Sequence, residues 1–282
     1  MSPLRVNLIP ACNTPDDVIA LNLRKSMKYP RVTWGILRYP PCAVVGGGPG
    51  LVASLDELRV FTGDIYAVND VAGYLSDQGI SSYIYAIDCT HVRYKTGPLV
   101  KGALFASRVH RRQFNMFDKK DIRVFDMMED GECGVTGGPT AVTRTPLLML
   151  RMGYRQVVYF GIDGCFYNLT HVTGTQKVAF DNMIIVRVKD IDYITNASLI
   201  LQNQYMYDKI LKFPNFLVNR SGGLLKAMIE NPDTWEMVAV TGDLKKKAES
   251  KGASIFPKEY KVWEHELWQP QYENMLLKQE AL

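Results

Sequence analysis

The 282-residue sequence holds no uninterrupted apolar stretch near the roughly 18–20 residues that a membrane helix needs, so no membrane span is expected. Its opening, MSPLRVNLIPACNTPDD, has no basic segment leading into an apolar run, and no secretion signal is expected. The five cysteines (Cys12, Cys42, Cys89, Cys133, Cys165) are odd in number and form no Cys-x-x-Cys pair. That usage fits reduced, mostly buried thiols in a cytoplasmic protein better than a disulfide framework or a zinc site. Charge of one sign is also scarce. Lys and Arg number 33 against 29 Asp and Glu, and a net +4 is too small to argue for nucleic acid as the partner. Internal repeats and low-complexity segments are absent. What remains, 47% apolar and 22% charged residues, is the composition of a globular chain long enough to bury a substantial core.

Apolar strand-like runs alternate with helix-like segments, which predicts an α/β fold with a mainly parallel sheet. The strand candidates are CAVVG (42–46), IYAVN (65–69), YIYAID (83–88), ALFAS (103–107), IRVFD (122–126), VVYFGID (157–163) and FLVN (216–219). Several are apolar on both faces, as strands covered by helices on each side must be. SLDELRVF and AGYLSDQGI are short helical candidates, and GGPTAVTRTPLLMLRMG is the clearest helix, with Ala141, Thr145, Leu148 and Met152 at helical spacing. Gly153 suits its stop, while Pro146 marks a kink or the first turn. The expected organisation is an N-terminal strand/helix extension over 1–41, a nucleotide-binding transferase domain over 42–230, and a C-terminal helical cap or tail over 231–282. In that last part KKKAESK is a solvated charge run, and VWEHELWQPQYENMLLKQEAL reads as an amphipathic cap, lid or dimer contact.

In parallel sheets ligands sit beyond the carboxyl ends of the strands, and here those ends are rich in glycine and polar residues. The first strand ends in Gly46-Gly47-Gly48-Pro49-Gly50, the second in Asn69-Asp70, the third in Asp88-Cys89-Thr90-His91 and the fifth in Asp126. VVYFGID ends in Gly161 and Asp163, followed by Tyr167 and His171, and FLVN runs into Arg220-Ser221-Gly222-Gly223. Without Cβ atoms, loop amides can approach an anion closely, and a helix starting at Pro49 would aim its positive end at a phosphate. The loop is neither Gly-x-x-x-x-Gly-Lys-Ser/Thr nor a clean Gly-x-Gly-x-x-Gly, because Leu51 holds the last position. A phosphate cradle and a purely structural strand-to-helix turn both fit it. Asp88 and Asp163 have the chemistry to hold a divalent ion such as Mg²⁺ or to polarise a reacting group, or else to cap the next turn. His171 and His91 are the candidate general bases, and the other two histidines fall on expected surface helices. Residues 91–123 form a basic stretch opposed by only Asp118 and Asp121, either a solvated face or a second anion site. Tyr94, Phe105, Phe114 and Phe117 within it read as core.

Four ordered blocks then carry a resemblance: VVGGGPGL, IYAVNDVAGYLSDQGISSYIYAID, GGPTAVTRTPLLMLRMGYRQVVYFGIDGCFYNLTHV and VNRSGGLLKAMI. Together they resemble the family that joins 6-hydroxymethylpterin diphosphokinase-like proteins to the motility accessory factor glycosyltransferases, which decorate flagellin with nonulosonic acids. GYRQVVYFGID, with VAFD at 178–181, is also similar to bacterial sialyltransferases that use CMP-sialic acid. The resemblance covers roughly residues 42–227. It implies a Rossmann-like, glycosyltransferase-type fold and a nucleotide cofactor or donor, a CMP-sugar or ATP, with Mg²⁺ in the diphosphokinase case. It would place the nucleotide phosphate near Gly46, Gly47, Gly48, Pro49, Gly50 and Asn69, with Asp88, Gly137, Gly138, Asp163 and His171 as further site residues. Gly222 and Gly223, at the last strand end, complete the expected binding set. Three positions depart from the pattern. Gly50 stands where the family has serine, Gly47 where the sialyltransferases have asparagine, and no histidine follows His171 until His265. The expected activity is glycosyl transfer from a nucleotide sugar to a small-molecule or macromolecular hydroxyl acceptor. The alternatives are Mg²⁺-dependent diphosphoryl transfer from ATP to a pterin-like hydroxymethyl group, and a non-catalytic binding or scaffold protein.

Overall fold

A computed structural model describes residues 14–38, 40–127, 134–138, 140–166, 183–232 and 234–240. After helix α1 (Asp16–Ser26) come β1 (Cys42–Val45), α2 (Leu55–Arg59), β2 (Asp64–Val68), α3 (Val71–Asp77), β3 (Ser82–Ala86), β4 (Val100–Ala106), β5 (Ile122–Phe125), α4 (Ala141–Arg151) and β6 (Val157–Phe160). They are followed by β7 (Met183–Val188), β8 (Ile191–Asn196), α5 (Ala197–Lys212), β9 (Leu217–Asn219), α6 (Gly223–Glu230) and β10 (Trp235–Val240). All seven expected strands lie in one sheet of order β5-β4-β3-β2-β1-β6-β9, and every pairing in it is parallel. The fold is therefore the α/β, Rossmann-like one expected, a mainly parallel sheet flanked by helices. The strand order runs outward in one direction from β1 to β5 and then reverses to β6 and β9. The switch point thus lies between β1 and β6, directly under the glycine loop.

The local chemistry explains why these segments take these forms. All four residues of β1 are fully buried, as a strand paired on both edges and covered on both faces requires. Helix α4 begins with a capping box. The Thr140 hydroxyl accepts from the Thr143 amide, and the Thr143 hydroxyl accepts from the Thr140 amide at 3.1 Å. Pro146 sits at the sixth helical residue, beyond the first turn, and cannot donate to the Val142 carbonyl. The Thr145 hydroxyl donates to that carbonyl instead, at 2.6 Å, so the acceptor is not orphaned. Gly153 closes the helix in the left-handed region, φ +88°, hard against the Ile36 carbonyl where no Cβ would fit.

A second, antiparallel sheet of order β10-β7-β8 packs its buried face on α5 and α6 through Ile184, Val186, Ile200, Leu224 and Met228. Its hairpin turns on Lys189-Asp190, with Lys189 at φ +53°. β10 lies beyond residue 230, and its pairing with β7 ties 235–240 to this sheet. The expected tail elements, the 245–251 charge run and the amphipathic segment after it, lie outside the described residues. Among the described residues no helix is long and apolar enough to cross a membrane.

Candidate functional site

The glycine loop continues the β1–β6 pairing: the Gly46 amide donates to Phe160 O at 2.8 Å and the Gly48 amide to Gly161 O at 2.7 Å. A 3₁₀ segment, Pro49–Ser54, then leads into α2. Beneath it lies Asp163, fully buried. Its Oδ2 accepts from the Gly50 amide, and its Oδ1 accepts from the Gly222 amide at 2.9 Å. The carboxylate therefore joins the loop after β1 to the turn after β9, across the switch point. Burial pushes its pKa above the ordinary carboxylate value, while the two amides pull the other way.

This arrangement explains most of the glycines around it. A Cβ on Gly48 would stand 2.7 Å from Asp163 Cγ and from Gly161 O. One on Gly50 would stand 2.9 Å from Asp163 Oδ2, and one on Gly223, itself at φ +59°, 2.7 Å from Cys165 Sγ. A Cβ on Gly222 would meet nothing closer than 3.7 Å, so space does not demand glycine there. Gly47 is half-buried on the loop. The serine expected at position 50 is disfavoured by the carboxylate packed against that Cα.

Two strands away, Asn69 leaves β2 in the left-handed conformation, φ +53°, and its Nδ2 donates to Asp88 Oδ2 at 3.0 Å. The Tyr94 hydroxyl donates to the same oxygen at 2.7 Å. Tyr94 is buried, as its reading as core implies, but its hydroxyl is also a partner of Asp88. Its own burial, with the proximity of that carboxylate added, drives the phenol's pKa far up, so it stays protonated and a donor. Among the described residues, buried Asn69 Oδ1 and Arg111 Nη1 have no hydrogen-bond partner. Orphaned polar atoms of this kind call for a ligand or a water. Beside Asp88, the rings of His91 and His110 stand 5.0 Å apart, and the His110 amide donates to Asp88 O at 3.0 Å. His110 does not sit on a surface helix: it follows β4 and is buried, because the chain turns there under α1. Burial first, then His91, Arg111 and Arg112, hold its pKa below the ordinary value, so it is a neutral imidazole at pH 7.

Fully buried Asn22 of α1 holds this end together. It donates to Cys89 O (3.0 Å) and Arg108 O (3.1 Å) and accepts from the Arg111 amide (2.9 Å). Nothing in the sequence around Asn22 signals this; its partners are 67 to 89 residues away. Ser221 is a second such residue, accepting from the Ile162 amide at 2.9 Å and donating to Tyr159 O at 3.3 Å. A polar residue beside Gly222-Gly223 at a strand end was the available signal for it.

The remaining expected residues divide. Gly137 and Gly138 lie against the first turn of α4, where Cβ atoms would meet Arg144 Cα at 2.7 Å and Thr143 Oγ1 at 3.0 Å. His171, Tyr167 and the VAFD segment lie outside the described residues. Basic residues 91–123 do not form one patch. Arg108, Arg111 and Arg112 follow the carboxyl end of β4, while Lys101, Lys120 and Arg123 lie at the amino ends of β4 and β5. The donor set does not suit Mg²⁺ shared by Asp88 and Asp163, because both oxygens of buried Asp163 already accept backbone amides. Among the described residues no three His, Cys, Asp or Glu side chains converge as a metal site.

No protein-family model and no curated protein matches the chain. Among solved structures, it is similar to a MAf glycosyltransferase from Magnetospirillum magneticum AMB-1, with 13% identity and a TM-score of 0.53. The similarity covers 83% of this chain but only 41% of that one, and at this identity it shows a common fold.

Proposed function

We propose that this chain is a nucleotide-dependent transferase that moves a glycosyl group from an activated nucleotide sugar, a CMP-nonulosonate in the finer form, to a hydroxyl acceptor. The observation that carries the reading is the polar cluster at the carboxyl ends of β2 and β3. There Asp88 is oriented by Asn69 and Tyr94, and two buried polar atoms, Asn69 Oδ1 and Arg111 Nη1, lack partners among the described residues. The likeness in fold to a glycosyltransferase is consistent with it. In this reading the nucleotide lies over the carboxyl ends of β2 and β3 beside the glycine loop, and Arg111 answers its negative charge. Asn69 Oδ1 accepts a hydroxyl or amino hydrogen of the donor. Asp163 is the internal tie that shapes the loop, and the general base is left to His171. The acceptor oxygen attacks the anomeric carbon, the bond from that carbon to the phosphate oxygen breaks, and the nucleotide departs with the electron pair. The base takes the acceptor's proton. Diphosphoryl transfer needs a metal held by both aspartates, and the occupied oxygens of Asp163 give that reading no support.

Thermal-shift titration of the full chain with CMP, UMP, AMP and GMP tests the reading. A pyrimidine nucleotide should raise the melting temperature, Asp88→Asn should abolish the rise, and EDTA should leave it unchanged. No stabilisation by any cytidine or uridine nucleotide refutes it.

A further inference from the structure

Lys101, Lys120 and Arg123, which the fold separates from the rest of the basic stretch, rim a cavity of about 340 Å³ at the amino ends of β2–β5. The candidate transferase site is at the opposite ends of these strands. The cavity floor is Tyr66, buried, and Tyr83, half-buried, whose rings stack at 5.6 Å. Asp64, on one wall, is already answered by Arg38 at 3.5 Å and by the Tyr154 hydroxyl. The three rim cations are not answered: among the described residues no carboxylate stands within ion-pair distance of any of them. Arg123 spends Nη1 on the Lys120 and Ile122 carbonyls, which fixes its guanidinium over the rim, and Lys101 Nζ lies 5.7 Å from the Tyr83 ring centre. Counting Arg38, the lining carries four cations against the carboxylates of Asp64 and Asp121. The excess of two positive charges balances the two negative charges of a phosphomonoester dianion.

We propose that this cavity binds a small phosphomonoester on a hydroxylated body, of the sugar-phosphate type. Lys101, Lys120 and Arg123 hold the phosphate dianion, whose oxygens take the free N–H groups of the guanidinium and the two ammonium heads. The Asp121 carboxylate and the Tyr83 hydroxyl accept from hydroxyls of the body. The volume falls within the range of small-molecule pockets. The site is independent of the transferase reading, since none of its residues lies at the carboxyl ends of the strands.

Equilibrium dialysis of the full chain against radiolabelled glucose 6-phosphate at low ionic strength tests it, with glucose and inorganic phosphate as parallel probes. Saturable binding of one glucose 6-phosphate per chain is expected, at least tenfold tighter than inorganic phosphate and with no uptake of glucose. Lys101→Ala/Arg123→Ala removes two exposed side chains, so the fold should survive, and circular dichroism checks that it does. The double variant should bind at least tenfold more weakly, and Lys120→Ala alone should weaken binding in the same direction. The proposal is overturned by an absence of saturable binding, by unchanged affinity in the folded double variant, or by inorganic phosphate binding as tightly as the ester.

Discussion

The carboxylate under the glycine loop makes Gly50→Ser the sharpest test of how this end of the sheet is built. Serine at position 50 would put its Cβ 2.9 Å from Asp163 Oδ2, 3.0 Å from Oδ1 and 3.2 Å from Cγ. The neighbour cannot move aside cheaply. Asp163 is fully buried, both its carboxylate oxygens accept amides, and its own carbonyl accepts from Leu225 at 3.0 Å. Crowding a packed site costs about 1–3 kcal/mol. Against this, replacing a glycine whose backbone another residue can adopt returns roughly 0.4–1 kcal/mol through the unfolded chain. The crowding wins, and Gly50→Ser should destabilise by about 1–2 kcal/mol, with Gly50→Ala close behind. Urea titration should show a lower midpoint at unchanged slope, and the melting temperature should fall by roughly 3–6 °C. In an Asp163→Ala background the same serine has room, and the penalty should shrink by at least ~1 kcal/mol in a double-mutant cycle. A serine that is neutral or stabilising in the parent, or equally costly in both backgrounds, would refute the reasoning.

Three further outcomes follow from the same geometry. Asp163→Asn keeps the size but turns one acceptor into a donor facing a backbone N–H, so a loss of about 1–3 kcal/mol is expected in urea unfolding despite the removal of a buried charge. Tyr94→Phe removes one donor from Asp88 and should cost roughly 0.5–1.5 kcal/mol of stability. If Asp88 serves the transferase site, it should also weaken the nucleotide-induced thermal shift. His110 has a folded pKa below the ordinary value, so its contribution to stability is full above about pH 6.5 and is lost as pH falls through the folded value. The urea midpoint of the parent should therefore drop between pH 8 and pH 5 by more than that of His110→Gln.

The sheet was legible because its signal is local. Runs apolar on both faces, closed by glycine or aspartate, mark strands covered on both sides, and all seven took their places in one parallel sheet. The β7–β8 hairpin was not legible, because its turn is Lys189-Asp190 rather than the glycine or asparagine pair that announces a two-residue loop. At the candidate site, Gly46–Gly50, Asn69, Asp88 and Asp163 stood out as strand-end residues, but their partners did not. Asp163 meets Gly50 across 113 positions, and no periodicity reaches that far. Set against the family the sequence resembles, Gly50 reads as a hydroxyl lost from a phosphate loop. Beside a buried carboxylate it is the residue that the packing demands.

The same distinction governs the charge. Residues 91–123 are contiguous in sequence, yet the seven residues of β4 span about 23 Å at roughly 3.3 Å each and send the two halves of the stretch to opposite ends of the sheet. At such a distance solvent-exposed cations are screened from one another beyond a Debye length of roughly 8–10 Å. They therefore cannot act as one anion site, and the charge read along the chain overstates what either end presents. The glycine loop adds little to the carboxyl end, since the amides of Gly48 and Gly50 already donate to Gly161 O and to Asp163. Among the described residues, positive character there comes from Arg93 after β3, from Arg108, Arg111 and Arg112 around the neutral His110, and from Arg220 after β9, which pairs with Glu57 at 3.6 Å. An anionic ligand at that end would consequently be drawn toward the β3–β4 side of the cleft, next to Asp88, rather than onto the loop itself.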